Sequence, residues 1–183
     1  MAGILRPAFY NNSSRETLLD TVGTTIAHEM SHGFDPYGIQ YDSEGQSNCV
    51  LTPEDLEAYQ KKVQRLTENL SRIELADGAL MDGTRKLSEE TADLLGLRLV
   101  LNMASQAEGF DYDLFFRTLA RCFFRSFKTR EAAMDNYASD YHPAYYIRVN
   151  YTFSQFEEFY RTYPAIQEGT GMYYPPESRE SLW

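Results

Sequence analysis

The 183-residue sequence has no run of about 20 apolar residues, so it predicts no membrane-spanning helix. It has two cysteines, Cys49 and Cys122, and no C-x-x-C pair, which excludes a disulfide-rich scaffold and a cysteine zinc cluster. We favour two buried free thiols, and a single disulfide bridge between the two cysteines is the alternative. Basic residues are scarce, and the net charge of −10 disfavours binding to nucleic acid or anionic membranes.

The first residues also lack the basic end and apolar run of a signal peptide. A cytoplasmic location would follow only if the chain is complete, and the sequence assigns neither a compartment nor an oligomeric state. Its length predicts one domain, residues 1–183, and its 43% apolar and 14% aromatic residues predict an ordinary globular core.

Sustained alternation of apolar and polar residues is absent as well, so we expect a mainly α fold with little sheet. Apolar residues at helical spacing predict a helix over residues 15–34. Thr52 followed by Pro53 predicts the start of a second helix that runs to about residue 73, and Ser88 is expected to cap a third. The remaining predictions are helices over residues 111–128, 129–140 and 154–160, and a turn with a short hairpin over residues 76–84.

The segment "AHEMSH" contains His28, Glu29 and His32. Residues four apart lie on one face of a helix, so both imidazoles can approach one ion. Zinc binds imidazole nitrogen readily, and catalytic zinc uses three protein ligands and a water. Glu29 would then be a general base that takes the proton from this water and passes it to the leaving amine. The alternative is a helix with two surface histidines.

A third ligand must come from elsewhere, because the sequence has only three histidines. It must be His142, a carboxylate or a cysteine. Glu89 and Asp93 lie one turn apart on a predicted helix, which allows one carboxylate to bind a metal and the other to support a ligating histidine. An acidic pair on a helix is otherwise most often a solvated surface. An oxyanion beside zinc also needs a donor, and His142 is the remaining histidine.

Five blocks of the sequence resemble the neprilysin and endothelin-converting-enzyme family of zinc metallopeptidases. They are "AGILRPAFY", "AHEMSHGFDPYG", "EETADLLGL", "DYHPAYYIRVN" and the final Trp183, in the family order. The resemblance implies a zincin-type (gluzincin) helical catalytic domain with one Zn²⁺ per chain. It also implies hydrolysis of peptide bonds in short peptides, with a preference for a bulky apolar residue just after the cut.

The resemblance further implies a role for each matching residue of the metal site. His28, His32 and Glu89 would hold the zinc. Glu29 would act as the general base and would not be a ligand.

Three other matching residues would support the metal or the substrate, and a fourth would brace a loop. Asp93 would bind the free ring nitrogen of a zinc-binding histidine and fix its tautomer. His142 would donate to the oxyanion of the tetrahedral intermediate, and Arg148 would bind a substrate carbonyl. The apolar residues on either side of Arg148 indicate that it points inward. Asp35 has a family counterpart too, and its expected role is to brace the loop after the zinc helix.

Some positions depart from the family pattern. Glu90 replaces the Asn that follows the ligating Glu, and Leu95 replaces the first Gly of the next pair. Phe124 and Glu180 replace two cysteines that often form a disulfide, which fits a bacterial member without that bridge. None of these departures removes a proposed ligand, the base or the oxyanion donor.

Family members are several hundred residues long, and a helical N-terminal part closes over their catalytic domain. A strand just before the first block pairs with the substrate backbone. This sequence contains neither, so it is either an excised fragment or a naturally short protein. The leading hypothesis is an active zinc endopeptidase domain. The alternatives are a zinc-binding but inactive domain that needs the missing N-terminal region, and a helical structural domain without metal.

Overall fold

The computed structural model describes residues 14–75 and 78–182. These residues form eight α-helices, and extended segments pair among them only at the isolated antiparallel bridges Tyr41–Ser47 and Glu74–Leu80. The prediction of a mainly α fold with little sheet is therefore confirmed. The first block of the family resemblance and Trp183 lie outside the described residues. No helix in the described part is both long and apolar enough to cross a membrane.

The helices are α1 (Arg15–Leu18), α2 (Thr24–Ser31), α3 (Pro53–Leu70), α4 (Gly83–Ser105), α5 (Tyr112–Cys122), α6 (Arg130–Ser139), α7 (Tyr145–Phe153) and α8 (Glu157–Thr162). A π-helical segment, Leu19–Gly23, joins α1 to α2, and a 3₁₀ turn, His32–Phe34, follows α2. Together these four pieces cover the helix predicted over residues 15–34.

Two helices begin where the sequence predicts, and a threonine caps each of them. The Thr52 hydroxyl accepts a hydrogen bond from the Asp55 N–H at 3.1 Å, and Pro53 is the first residue of α3. The Thr129 hydroxyl accepts from the Ala132 N–H at 3.2 Å at the start of α6. Each cap satisfies an N–H group that has no partner within its own helix.

The predicted cap of α4 at Ser88 is wrong. The helix begins at Gly83, and the Asp82 carboxylate caps it by accepting from the Arg85 N–H at 3.0 Å. Ser88 therefore lies inside the helix, where its hydroxyl donates a hydrogen bond to Asp35 instead. An Asp-Gly pair predicts a turn and a helix cap equally well, and Asp82-Gly83 was expected to form a turn.

Three other boundaries differ from the predictions. Helix α5 ends at Cys122, six residues before the predicted end at residue 128. Helix α7 was not predicted, because its aromatic and β-branched residues favour helices weakly; burial of Ile147 and Phe153 stabilises it. Residues 154–156 were predicted to be helical, but they connect α7 to α8, and the Ser154 hydroxyl bonds to the Tyr151 carbonyl at 2.6 Å.

The hydrophobic core lies around α4, which packs against α2, α3 and α7. Fully buried side chains include Leu66 and Leu70 of α3, Leu101 of α4 and Phe116 of α5. Phe116 is central to an aromatic cluster, with its ring centroid 5.1 to 5.5 Å from those of three other phenylalanines. The two cysteines are both free, as favoured from the sequence, but each is half-buried and not fully buried.

Helices α2 and α4 approach most closely at Gly96. A Cβ atom at this position would lie 2.8 Å from the backbone nitrogen of His28 and 2.9 Å from its Cα atom, closer than any ordinary contact. Gly96 therefore allows the backbone of α4 to touch α2. Because Asp93 lies one turn and Glu89 two turns before Gly96, this contact brings both carboxylates to the face of α2 that carries the histidines.

Candidate metal centre

The predicted zinc ligands lie together. The Nε2 atom of His28 is 3.3 Å from Oε2 of Glu89, and the Nε2 atom of His32 is 3.7 Å from the same oxygen. Ligands about 2.1 Å from a tetrahedral ion are about 3.4 Å apart, so these spacings fit zinc. Within the described residues, the buried Oε2 atom of Glu89 faces only histidine Nε2 atoms and receives no hydrogen bond from a backbone N–H or a hydroxyl group, as expected of an oxygen positioned to bind a metal.

Each of the three histidines is oriented by one aspartate. The pairs, with the distance from the histidine Nδ1 to an aspartate oxygen, are His28–Asp93 at 2.8 Å, His32–Asp35 at 2.8 Å and His142–Asp140 at 2.8 Å. Since an ionised carboxylate only accepts, Nδ1 carries the proton and donates it. This fixes the tautomer, so that the two ligating histidines present an unprotonated Nε2 to a metal.

Asp93 contacts His28 and also Arg148, and the second of these contacts was not predicted. Besides accepting from His28, its carboxylate accepts two hydrogen bonds from Arg148, from Nε and Nη2, both at 2.6 Å. Burial would raise the pKa of Asp93, but the Arg148 guanidinium and the His28 imidazole hold it well below its usual range. Asp93 is therefore ionised at neutral pH and links the metal site to α7.

Asp35 has a wider role than the sequence indicated. Its Oδ1 atom braces the loop after α2, because it accepts from the N–H groups of Tyr37 at 2.7 Å and Gly38 at 2.8 Å. Its Oδ2 atom accepts from His32 and from the Ser88 hydroxyl. The spacing of three residues from His32 is the sequence signal that could have revealed this second function.

Charges concentrate at the metal group. Burial lowers the pKa of His28, but the carboxylates of Asp93 and Glu89 raise it to about 9. Burial raises the pKa of Glu89, but His142 and His28 bring it well below its usual range. A metal ion that binds here would displace a proton from His28, because the neutral imidazole is the form that binds metals.

His142 and Glu29 lie beside the ligands and face the same cavity. The Nε2 atom of His142 is 3.0 Å from Oε2 of Glu89, on the segment between α6 and α7. Glu29 is exposed on α2. Five of the seven predicted site residues line this cavity of about 270 Å³, namely His28, Glu29, Asp93, His142 and Arg148. His32 and Glu89, the other two, lie next to it.

Arg148 points inward, since only 10% of its side chain is exposed. Its guanidinium binds Asp93 and lies over the ring of Phe123, with 4.6 Å between Cζ and the ring centroid. In this position it lines the cavity and is held on two sides. The predicted contact with a substrate carbonyl stays a prediction.

Glu90, where the family has Asn, is completely buried behind the site. Its Oε1 atom accepts a hydrogen bond from the Thr152 hydroxyl at 2.8 Å. Burial and the nearby charge of Asp93 raise its pKa well above the usual range of a glutamate. A neutral, protonated carboxyl group resembles the amide that it replaces, which explains how the buried position accommodates this departure.

The sequence is similar to known peptidases. The model of peptidase family M13 matches residues 1–180. A neutral endopeptidase of Lactococcus lactis subsp. cremoris is 32% identical over all 183 residues, which are 29% of that protein. Human endothelin-converting enzyme 1 is 32% identical over 98 residues, or 53% of this chain and 13% of that protein.

Solved structures show the same similarity. The crystal structure of PEPO from Lactobacillus rhamnosis HN001 is 31% identical and superposes with a TM-score of 0.87, over 97% of this chain and 28% of that one. The Mycobacterium tuberculosis zinc metalloprotease ZMP1, solved with an inhibitor, is 23% identical and shares the fold, with a TM-score of 0.84 over 98% of this chain and 30% of that one.

The chain thus spans about 29% of the length of the Lactococcus relative, and the match extends over the whole of its own length. A family model that matches nearly every residue agrees with the helical fold and with the group of two histidines and a glutamate. The chain belongs to peptidase family M13.

Proposed function

We propose that this chain is the catalytic part of a zinc-dependent endopeptidase that hydrolyses peptide bonds in short peptides. One observation carries the proposal: the Nε2 atoms of three histidines converge on one carboxylate oxygen of Glu89. His28, His32 and Glu89 would hold one Zn²⁺, and His142 remains beside it as a donor. A structural helix would not need to bring these groups together.

When bound, zinc would supply Lewis-acid chemistry that makes a water more acidic and polarises the scissile carbonyl. Glu29 lies on the cavity next to the ligands but is not one of them. It can therefore accept the proton of the attacking water and deliver it to the leaving amine.

His142 would stabilise the charge that develops on the carbonyl oxygen. The Glu89 carboxylate raises the pKa of His142, and Asp140 adds to this effect, although burial opposes both. The Nδ1 atom of His142 is held by Asp140, and its Nε2 atom faces the Glu89 oxygen at 3.0 Å, on the side where the metal and the carbonyl oxygen would lie. Arg148, fixed by Asp93, would bind a second carbonyl of the peptide.

The names of the relatives support a peptide substrate, since they are described as a neutral endopeptidase and an endothelin-converting enzyme. The length of the chain supports an alternative. Because it spans about 29% of the Lactococcus relative, it could bind zinc and yet need the missing N-terminal part for activity. The two functions share a metal site and differ only in whether this chain cleaves peptides by itself.

The direct test is to load the protein with one equivalent of zinc and incubate it with a mixture of short peptides. We expect cleavage by the wild type and none by Glu29→Gln, although this variant should bind zinc equally well. Glu57→Gln is the matched control, because Glu57 is exposed on α3 and, within the part of the chain that the structure describes, pairs only with Lys61, at 2.6 Å. Equal cleavage by Glu29→Gln and the wild type would remove Glu29 as the base.

Bound zinc without any cleavage would favour the alternative function. The N-terminal part of a relative, added as a separate chain, should then restore hydrolysis. A protein that takes up no zinc at all would contradict both functions.

A further inference from the structure

The cavity beside the metal group extends away from the catalytic residues, between the π-helical segment and α5. This part of its wall is formed by Asp20, three threonines (Thr21, Thr24 and Thr25) and Cys122. None of these residues has a role in the proposed reaction. A peptidase selects its substrate through pockets next to the cleaved bond, so their chemistry bears on the substrate.

Asp20 is the unusual member of this wall. It is 0% exposed, and neither carboxylate oxygen has a hydrogen-bond partner among the described residues. The neighbouring Thr118 hydroxyl donates its proton to the Leu114 carbonyl at 2.8 Å. Burial raises the pKa of Asp20 to about 7, and Thr118 could oppose this rise only by donating to Asp20 in place of Leu114. A buried carboxylate without a partner is costly, and a group that the cavity is built to receive would remove the cost.

The threonines cannot supply that partner, because their protons are already used. The Thr21 hydroxyl donates to the Thr17 carbonyl at 2.7 Å, and that of Thr25 donates to the Thr21 carbonyl at 2.8 Å. The Thr24 hydroxyl similarly donates to a backbone carbonyl, at 2.9 Å. A hydroxyl that has donated its proton can only accept further hydrogen bonds. This wall therefore offers acceptors, and it complements a group rich in donors.

Apolar residues complete the shape. Leu119 and Phe123 line the same cavity, which would suit the methylene groups of a long side chain. Lysine and arginine bury their stems along apolar surface and present a cation at the tip. At about 30 Å³ for each atom-sized group, 270 Å³ has room for either side chain.

We propose that Asp20 determines specificity and that this cavity receives the side chain of a lysine or arginine in the substrate. The proposal rests on the proposed peptidase function. Glu29 borders the cavity and would protonate the leaving amine, so the basic residue is the one that follows the cleaved bond. The family resemblance implied a bulky apolar residue at this position, and the acceptor-rich wall of this chain favours a basic one instead.

The charge preference of the cavity can be tested without catalysis, through the Cys122 thiol. Asp20 and Cys122 line the same cavity, and burial together with the charge of Asp20 raises the pKa of this thiol to about 11. We would measure the alkanethiolation rates of Cys122 with methanethiosulfonate reagents that carry an ammonium or a sulfonate group, at pH 8.5. Cys49, also a free thiol, lies outside the cavity and normalises for the charge of the whole protein.

We expect the cationic reagent to react about tenfold or more faster than the anionic one at Cys122, relative to Cys49. In Asp20→Asn, the ratio of the cationic to the anionic rate at Cys122 should fall towards the ratio at Cys49. It should stay high in Asp113→Asn, which removes an exposed charge from α5, the helix that carries Cys122. No preference in the wild type, or no reaction of Cys122 with either reagent, would overturn the proposal. Neither of these results depends on the folding of a variant.

The second test compares the hydrolysis of two peptides by the zinc-loaded protein. The peptides differ only in the residue that follows the cleaved bond, which is lysine in one and norleucine in the other. We expect kcat/KM to favour lysine by about tenfold or more, and this ratio to fall in Asp20→Asn. Cleavage that favours norleucine would overturn the specificity while leaving the peptidase function intact. If no peptide is cleaved, the proposed function fails, and the thiol experiment alone decides the charge preference of the cavity.

Discussion

Asp93 and Asp140 make the same contact with two histidines that have different proposed roles. Each accepts a hydrogen bond from a histidine Nδ1 atom at 2.8 Å. His28 is a proposed zinc ligand, whereas His142 is a proposed oxyanion donor. Substitution of the two aspartates therefore separates metal binding from catalysis.

We expect Asp93→Asn to weaken zinc binding by about 10- to 100-fold, since it removes the support of a ligand. Asp140→Asn should leave zinc affinity nearly unchanged and lower kcat. Competition with a chromophoric chelator measures the affinity, and peptide hydrolysis measures kcat. An equal loss of zinc affinity in both variants would mean that His142 binds the metal.

Asp20 gives a prediction on stability. Its pKa is about 7 in the folded protein and 3.8 as an ordinary aspartate, so between these values the folded state binds more protons than the unfolded state. Stability is therefore lost as the pH rises through this window. The full shift corresponds to about 4 kcal/mol, but water enters an open cavity and screens the charge, so we expect a smaller effect.

Relative to the wild type, Asp20→Asn should gain about 1 kcal/mol of unfolding free energy between pH 5 and pH 8. Urea denaturation at several pH values measures this difference. If the unfolding free energies of Asp20→Asn and the wild type differed by the same amount at every pH, the pKa of Asp20 would not be raised in the folded protein.

The sequence predicted some of these residues better than others, for a physical reason. His28, Glu29 and His32 lie on one helix, so their spacing alone places them together. The position of Asp20 depends on the π-helical segment, in which an inserted residue rotates the following side chains by about 100°. Regular helical spacing does not reveal that rotation, and the role of Asp20 was not predicted.

At the scale of the helices, the site depends on the contact between α2 and α4. The ligands of one site come from two helices, and Gly96 is the point at which their backbones meet. We expect Gly96→Ala to push the helices apart, to destabilise the fold by about 1–3 kcal/mol and to weaken zinc binding. Denaturation and zinc competition measure the two effects.

Gly33→Ala is the control for this prediction. It is the same substitution, next to His32, but a Cβ atom at Gly33 meets no atom within 4 Å. It should therefore bind zinc as the wild type does. Wild-type zinc affinity in Gly96→Ala would show that the close approach of α2 and α4 does not position the ligands.

The helices themselves were predicted where local signals are strong. The cap at Thr52, the helix predicted over residues 129–140 and the apolar spacing of residues 15–34 depend on signals within one segment, and these predictions are confirmed. Helix α7 forms because tertiary contacts bury residues with low helix propensity, including Ile147 at 3% exposure. Its sequence alone could not predict it, although it carries Arg148.

At the scale of the whole molecule, zinc should stabilise the fold as well as complete the site, because its ligands come from separate segments of the chain. A ligand at 100 times its Kd stabilises the folded state by about 2.7 kcal/mol. We expect a chelator to lower the Tm of the zinc-loaded wild type by several degrees. A Tm that does not change on chelation would mean that the ion binds elsewhere or not at all.

The most direct measurement of the central claim is the zinc bound per chain in the wild type, Glu29→Gln and Glu89→Gln, after dialysis against a weak chelator. Each substitution replaces a carboxylate with an amide of the same shape, so the comparison separates a metal ligand from a general base. The account predicts one zinc in the wild type and in Glu29→Gln, and much less than one in Glu89→Gln. Full zinc occupancy in Glu89→Gln would contradict the assignment of the third ligand, and with it the metal site described above.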